Sequence, residues 1–294
     1  MRGKAICPGS CGEIVQGLVD GQNFLITCPI ALYSEVTVQL AEKERFLTKT
    51  HNIKSYTAAQ KVLEYFEVKN CTIKLHINSQ IPRGVGLSSS TADITATCLA
   101  TAKALKKTIS PDTIADIALS IEPSDGIMYP GAWIFDHIYG RRREELGQIP
   151  DMDVYIINTG EHIDTLIFNN RHELKMLNIN KEKQVKEALA LAYEAFDRED
   201  KRLLGDAMIK SAISHQPILY KEHLFEIIAL GKEFGAIGVN IAHSGSALGI
   251  FCEKEFEFPK QFWMKIKYIM DKYKKKYHIL KTQIDNSGPR TVLI

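Results

Sequence analysis

The sequence predicts an α+β fold, because strand and helix patterns are both abundant but do not alternate strictly along the chain. Stretches rich in β-branched and aromatic residues predict strands at residues 23–27, 34–40, 71–77, 132–137, 153–158, 238–243 and 247–252. Stretches with apolar residues at helical spacing predict helices at residues 57–66, 91–107, 111–121, 186–196, 202–214, 222–234 and 260–273. A doubly wound parallel sheet needs a helix between successive strands, so it fits this order less well.

The stretch 139–150 predicts the least structured joint of the chain. It is charged and contains Gly147 and Pro150, two residue types that interrupt regular elements. A length of 294 residues is also more typical of two domains than of one. We therefore expect one domain at residues 1–150 and a second at residues 151–294.

Composition and charge narrow the class of protein. With 45% hydrophobic residues, 24% charged residues and a net charge of +2, the chain resembles an ordinary globular protein and does not favour nucleic acid or an anionic membrane as a partner. The N-terminus lacks the apolar core of a signal peptide, and no run of about 18 apolar residues occurs. The six cysteines form no CxxC pair, which favours reduced thiols. We expect a cytoplasmic protein, whose oligomeric state the sequence does not indicate.

The stretch IPRGVGLSSSTAD, residues 81–93, predicts an anion-binding loop at the start of a helix. The first N–H groups of a helix have no partner within it, and the helix dipole adds roughly half a positive charge there. Gly84 and Gly86 let the backbone approach a ligand, and the three serine hydroxyls can donate to phosphate oxygens. A triphosphate is a natural occupant. The alternative is a glycine turn followed by a serine cap, which needs no ligand.

Two carboxylates near the end of a predicted helix are candidates for catalysis. In the segment IEPSDG, Pro123 ends the helix because it disfavours helical geometry for Glu122. Glu122 and Asp125 are three residues apart, where a helix runs into a loop, and able to face one centre. The alternative is that both are solvated loop carboxylates.

Three segments resemble the GHMP kinases, the galactokinase, homoserine, mevalonate and phosphomevalonate kinase superfamily. The stretch PRGVGLSSSTA matches the family's phosphate-binding pattern P-x-G-x-G-L-[GS]-S-S-[AT] almost throughout. The other two segments are CPGSCGEIVQG at residues 7–17 and HSGSALGIF at residues 243–251. The resemblance spans almost the whole chain and implies a two-domain GHMP kinase fold with the active site between the domains.

The resemblance also implies an activity. The N-terminal PGSCGE lacks the lysine of mevalonate-type kinases and the asparagine of homoserine kinases, and it resembles the L-threonine kinases of cobalamin biosynthesis. It implies a kinase that transfers phosphate from ATP to L-threonine and uses Mg²⁺. Another GHMP kinase, acting on homoserine or mevalonate, is one alternative. A catalytically silent GHMP-fold sensor is a second, although Ser90, Glu122 and Asp125 together count against it.

The family pattern assigns roles to the matching residues of this chain. Ser90 and Glu122 correspond to the Mg²⁺ ligands and Asp125 to the catalytic aspartate, although the spacing between Glu122 and Asp125 is shorter than in mevalonate-type kinases. ATP would contact the glycine-serine stretch, which comprises Pro82, Arg83, Gly84, Val85, Gly86, Leu87, Ser88, Ser89, Ser90 and Thr91.

A threonine substrate would need partners for its ammonium and its carboxylate. Glu13 is the candidate for the ammonium, with a turn-capping role as the alternative, and Ser10 or the neighbouring glycine amides are candidates for the carboxylate. The loop at residues 243–246 would either close the pocket or form only a tight turn. The remaining substrate candidates are therefore His243, Ser244 and Gly245, together with Thr165 in the second half of the chain.

Overall fold

Two antiparallel sheets form the framework of the structure, a computed structural model that describes residues 1–42, 52–161, 165–169 and 171–293. The strands are β1 (Arg2–Val19), β2 (Gln22–Glu42), β3 (Cys71–Ser79), β4 (Ala132–Phe135), β5 (Arg143–Gly147), β6 (Met152–Asn158), β7 (Gly238–Ile241), β8 (Leu248–Glu253), β9 (His278–Gln283) and β10 (Arg290–Thr291). One sheet has the order β10-β1-β2-β4-β5, with β3 paired to another part of β2, and the second has the order β7-β8-β6-β9.

Helices cover these sheets and connect them. They are α1 (Ile53–Tyr65), α2 (Ser89–Ala104), α3 (Pro111–Leu119), α4 (Thr165–Asn169), α5 (Leu174–Asn180), α6 (Glu182–Asp197), α7 (Lys201–Ser214), α8 (Leu224–Glu233) and α9 (Lys260–Lys272). The helix α2 packs across β1 and β2, while α1 and α3 contact its outer side. The helices α6 and α7 pack against β1, so elements from the second half of the chain also contact the first sheet.

The helix α2 lies unusually close to the first sheet because its buried residues are small. Most of its positions are alanine or threonine, and a Cβ added at Gly3 of β1 would overlap the carbonyl oxygen of Ala100. The buried hydroxyls of Thr97 and Thr101 donate to the carbonyls one turn earlier, at 2.6 and 2.8 Å, so the helix itself satisfies them. This packing holds the N-terminus of α2 in a defined place.

Strand β1 is irregular at the segment that the sequence analysis singled out. Its pairing with β2 shifts register between Pro8 and Gly9, between Ser10 and Glu13, and again after Glu13. Gly12, at φ 54°, supplies the left-handed conformation within this stretch. Such bulges re-aim side chains out of the regular alternation of a strand.

The predicted elements are confirmed, and the α+β class with them, but several further elements were not predicted, among them α4, α5 and β10. All the predicted strands and helices occur, with ends shifted by a few residues, and the two strands predicted at residues 23–27 and 34–40 are parts of the single long β2. The strand β1 was not predicted, because its prolines and glycines resemble those of a loop. The edge strand β9 also escaped prediction because alternating polar residues leave it no apolar run.

The stretch at residues 139–150, expected to be the least structured joint of the chain, contains the strand β5, which pairs with β4. The strand is charged because it forms the edge of the sheet, where charged side chains face solvent. Neighbouring arginines are paired: Arg142 with Glu144 at 2.7 Å, and Arg143 with Asp112 at 3.2 Å.

The division into domains at residue 150 stays a prediction. The second sheet begins with β6, immediately after that point, but the chain returns to the first sheet at its end, where β10 pairs with β1. Within the described ranges, no helix has both the length and the apolar character needed to cross a membrane.

We predict that Gly205→Ala destabilises the protein. A Cβ at Gly205 of α7 would overlap the carbonyl oxygen of Ile237, directly before β7, and backbone cannot move aside as a side chain can. We expect a loss of about 1–3 kcal/mol in the free energy of unfolding, measured by urea titration. Gly231→Ala in α8 is the control, because its nearest neighbour would be the Ala236 methyl at 3.2 Å. Equal stability of the two variants would contradict the close contact.

Candidate active site

The glycine-serine loop reaches α2 through a left-handed residue. Gly84, Gly86 and Ser88 have φ values of 72°, 85° and 58°, and Ser88 is the N-cap of α2. The Ser88 side chain does not cap the helix; its hydroxyl contacts the Ser10 hydroxyl and donates to Asp125 Oδ2 at 2.5 Å. The N–H groups of the first turn are therefore left to an anionic ligand rather than to the cap residue.

The loop at residues 243–246 packs directly against the glycine-serine loop. A Cβ on Gly86 would overlap that of Ala242, and a Cβ on Gly245 would overlap the Val85 carbonyl oxygen. The Ala247 N–H donates to the same carbonyl at 3.0 Å. Gly245 therefore supports the glycine-serine loop from the side away from the cleft.

Glu122 joins two elements at the centre of the site. The Ser90 hydroxyl donates to Glu122 Oε1, and Lys54 Nζ of α1 lies 2.6 Å from Glu122 Oε2. The Glu122 side chain is buried, whereas that of Lys54 is 46% exposed. The structure thus brings together the two residues that the sequence predicts as metal ligands and adds a cation that it did not predict.

Asp125 lies beside this pair with a second carboxylate, Glu13, close to it. Burial raises the pKa of Asp125, the Ser88 hydrogen bond opposes the rise, and the charge of Glu122 adds to it. Burial also raises the pKa of Glu13 well above its usual range, and the charge of Asp125 reinforces this. Glu13 is 3% exposed, and its Oε2 has no hydrogen-bond partner among the described residues. A cationic ligand would relieve both effects.

Two buried histidines form another part of the site. His137 and His243 meet edge to face with ring centroids 4.8 Å apart. The Gln16 amide donates to the Ile241 carbonyl at 3.3 Å, so its oxygen faces His243 and accepts from Nδ1 at 2.9 Å. Burial lowers the pKa of His137 to about 4 and that of His243 well below its usual range, so both rings are neutral near pH 7 in the unliganded protein.

These groups surround one open cleft of about 470 Å³. Both halves of the chain contribute to it, and its lining includes the following predicted residues: Glu13, Arg83, Gly84, Gly86, Leu87, Ser88, Ser89, Ser90, Thr91, Glu122, Asp125, His243 and Ser244. It also includes residues that the sequence analysis did not select: Asn52, Ile53, Lys54, Asp93, Pro123, Ser124, His137 and Asn169.

The remaining predicted residues lie elsewhere. Pro82 and Val85 belong to the loop but are absent from the lining, and Val85 is buried behind it. Ser10 is fully buried, and its N–H donates to the Leu87 carbonyl at 3.2 Å, so it lies beneath the loop and not in the cleft wall. Thr165 begins α4, but its side chain lies outside the described part of the structure.

One of the cleft residues that the sequence analysis did not select, Lys54, follows a recognisable local motif. Lys54 follows Asn52, the N-cap of α1, whose side-chain oxygen accepts from the Ser55 N–H at 3.4 Å, and that start was recognisable as a helix cap. His137 had no such signal, since a single histidine after a strand is equally compatible with the core.

The pair Ser90 and Glu122 fits a divalent cation. Both offer hard oxygen atoms, and the ion pair with Lys54 demonstrates that this carboxylate accepts a positive group. Within the described ranges there is no group of three or more His, Cys, Asp or Glu side chains that could hold a metal on its own. Mg²⁺ does not require one, because it binds through one or two protein groups together with phosphates and water.

Comparison with known proteins identifies similar sequences. Residues 53–135 match the sequence profile described as GHMP kinases N terminal domain, and residues 192–259 match the one described as GHMP kinases C terminal. The L-threonine kinase of Salmonella typhimurium (strain LT2) is 30% identical over 257 residues, which cover 85% of this chain and 83% of that protein.

Solved structures share the fold. A homoserine kinase from Cytophaga hutchinsonii superimposes with a TM-score of 0.72 at 14% identity, over 99% of this chain and 97% of that one. The structure of MDDEF in complex with MVAPP, AMPPCP and magnesium superimposes with a TM-score of 0.69 at 14% identity, over 100% and 99% of the two chains. At these identities the likeness establishes the fold and not the substrate.

We predict that the Glu13→Gln substitution changes the melting temperature of the unliganded protein more favourably at pH 8 than at pH 5. Both changes are measured relative to wild type at the same pH. The pKa of Glu13 is raised in the folded state, so its stabilising contribution is complete below the pKa of the unfolded chain and is lost as the pH rises through the folded value. Glutamine has no proton to lose.

The measurement is the melting temperature at both pH values. Glu187→Gln is the control, since Glu187 lies at the surface beside Lys210 and the same change there removes no buried charge. A difference in melting temperature between Glu13→Gln and wild type that is the same at both pH values would contradict the raised pKa of a buried, unpaired carboxylate.

Proposed function

The chain belongs to the GHMP kinases and is an ATP-dependent kinase of a small molecule, and from that premise we propose that its substrate is L-threonine. The γ-phosphate of ATP would pass to the threonine hydroxyl and give ADP and O-phospho-L-threonine. We propose further that this product enters cobalamin biosynthesis. The 30% identity to an L-threonine kinase supports the substrate, as does the PGSCGE segment.

The choice of substrate rests on the environment of Glu13. Its buried carboxylate lines the cleft close to Asp125 and has an oxygen with no protein partner among the described residues. The ammonium of an amino acid is a matching occupant, because it supplies N–H donors and cancels the buried charge. Mevalonate has no ammonium, and its carboxylate would be repelled here. Homoserine does have one, so Glu13 favours hydroxy amino acids as a class.

The glycine-serine loop and α2 would bind the phosphates of ATP. The uncapped N-terminus of α2 offers N–H groups and a positive dipole to the phosphate oxygens. We assign Mg²⁺ to Ser90 and Glu122, where it would neutralise charge on the transferring phosphate. With a loose transition state, positioning and charge stabilisation supply most of the rate acceleration.

Asp125 would orient the threonine hydroxyl and accept its proton. The bond from the γ-phosphorus to ADP breaks as the threonine oxygen bonds to phosphorus, and the hydroxyl proton passes to the Asp125 carboxylate. The Ser88 hydroxyl donates to Asp125 Oδ2 at 2.5 Å, which leaves Asp125 Oδ1 to accept from the substrate. The raised pKa of Asp125 makes it a better proton acceptor than an ordinary aspartate.

We retain the division at residue 150 and the cytoplasmic location as proposals. In support of the division, the two matched profiles lie on opposite sides of that residue. In support of the location, all six cysteines are free thiols, as a reducing compartment would keep them.

We predict that L-threonine is the best acceptor in a panel with L-serine, L-homoserine and mevalonate. ADP release is followed with ATP and Mg²⁺. L-Serine should have a kcat/KM about 10- to 100-fold lower, because it lacks the methyl group of threonine. A homoserine or mevalonate value about tenfold above that of threonine would refute the substrate and leave the kinase assignment intact. A folded protein that binds ATP but phosphorylates none of them would favour the sensor.

We predict different responses to Mg²⁺ for variants of the two carboxylates. Glu122→Gln should raise the Mg²⁺ concentration needed for half-maximal activity and recover partly at high Mg²⁺, because mass action refills a weakened site. Asp125→Asn should lower kcat by about 10²–10⁴-fold with no recovery, because it removes the proton acceptor.

A Mg²⁺ titration of kcat separates the two roles. Asp206→Asn, a change of an exposed carboxylate on α7, is the control and should behave as wild type. Recovery of Asp125→Asn by Mg²⁺ without recovery of Glu122→Gln would reverse the two assignments. A kcat for Asp125→Asn close to wild type would remove Asp125 from the proton transfer.

A further inference from the structure

We propose that His137, backed by the buried cation of Lys181, forms the subsite that binds the carboxylate of the substrate. This inference rests on the proposed function, because it names the group that recognises the second charged end of an amino acid. The ammonium end is assigned to Glu13, and the two residues both line the cleft.

His137 has a polar atom that needs a ligand. Its side chain is 5% exposed, and Nδ1 has no hydrogen-bond partner among the described residues. Its backbone carbonyl accepts from the Ser124 N–H at 2.9 Å, which holds His137 beside the loop that carries Asp125. A carboxylate oxygen in the cleft would satisfy the buried Nδ1, and an unsatisfied buried nitrogen is otherwise unfavourable.

A chain of polar contacts connects the neighbouring histidine to a buried lysine. His215 Nε2 lies 3.0 Å from the His243 carbonyl oxygen, which can only accept, so this nitrogen carries the proton. His215 Nδ1 is then an acceptor, and Lys181 Nζ donates to it at 3.1 Å. Lys181 Nζ also donates to the Gln16 carbonyl at 3.3 Å. Both partners of this ammonium among the described residues are therefore neutral.

The positive charge of Lys181 lacks a counter-charge in the described part of the chain. Lys181 is 5% exposed, and no described acidic side chain lies within ion-pair distance of its Nζ. Burial lowers the pKa of Lys181 to about 7, and its charge helps to lower the pKa of His243, so its field extends to a ring that lines the cleft. An anion bound next to His137 and His243 would supply the missing counter-charge.

The cleft therefore has opposite electrostatic character in two places. Glu13 and Asp125 favour a cation, whereas His137 and the field of Lys181 favour an anion. An α-amino acid zwitterion carries both charges within one small molecule. Ser10, the carboxylate partner expected from the sequence, has both its donors engaged, since its N–H binds the Leu87 carbonyl and its hydroxyl contacts Ser88.

The test compares L-threonine with L-threoninamide, which keeps the hydroxyl and ammonium but replaces the carboxylate by a neutral amide. Wild type should prefer threonine. His137→Asn should lower kcat/KM for threonine by about 10- to 100-fold, mainly through KM, and change the value for threoninamide little. Lys181→Met should shift the threonine-to-threoninamide ratio in the same direction, and KM for ATP should stay constant in both variants.

His223→Asn is the matched control. His223 is also buried, both its ring nitrogens lack hydrogen-bond partners among the described residues, and burial lowers its pKa to about 4, yet it does not line the cleft. The substrate ratio of this variant should equal that of wild type. A purely structural role for a buried histidine would affect both substrates equally.

Other results of these kinetic measurements would refute the carboxylate subsite, the role of His137 or the proposed substrate. Equal kcat/KM values for threonine and threoninamide in wild type would refute the carboxylate subsite without any variant, even if His137→Asn fails to fold. A raised KM for ATP in His137→Asn would make His137 a phosphate contact. If wild type prefers homoserine, the proposed substrate fails, and the same comparison with homoserine and its amide tests the subsite independently.

Discussion

The contact between two glycine-containing loops is the constraint on which the cleft depends. Gly86 and Gly245 approach so closely that a Cβ at either position would overlap the other loop. This contact joins the start of α2 to the loop between β7 and β8, and thus the glycine-serine loop to the second half of the chain. Because close-packed backbone has little freedom to shift, the position of Ser88 is defined, and with it the hydrogen bond that orients Asp125.

Buried charge is the second feature that organises the site. Burial raises the pKa of both Glu13 and Asp125, and the charge of Asp125 raises that of Glu13 further. Lys181 and the histidines around it are buried in the same region and repel one another's positive forms. Burial of unpaired groups lowers the stability of the unliganded protein. It also makes the binding free energy more favourable for a ligand that pairs with these groups. A site of this kind favours small molecules that carry both charges.

Glu122 connects several elements of the candidate site. It accepts from Ser90 at the start of α2, pairs with Lys54 at the start of α1 and precedes Asp125 by three residues. A change in the position of any of these elements would therefore affect the proposed metal-binding pair and the proposed proton acceptor together. Both Glu122 and Asp125 reach the cleft, although only three residues separate them, because both lie beyond the end of α3, in the loop that lines the cleft.

The sequence by itself determined most regular elements and the residues of the glycine-serine loop, because periodicity and local motifs are properties of neighbouring residues. It also indicated Ser90, Glu122, Asp125 and Glu13 through their motifs. Only the tertiary structure decided that Ser10 lies beneath the loop, that β5 replaces the expected joint, and that Lys54 and His137 line the cleft. These depend on contacts between residues distant in the chain, and a single histidine or a charged edge strand has no local pattern that distinguishes it from solvated surface or core.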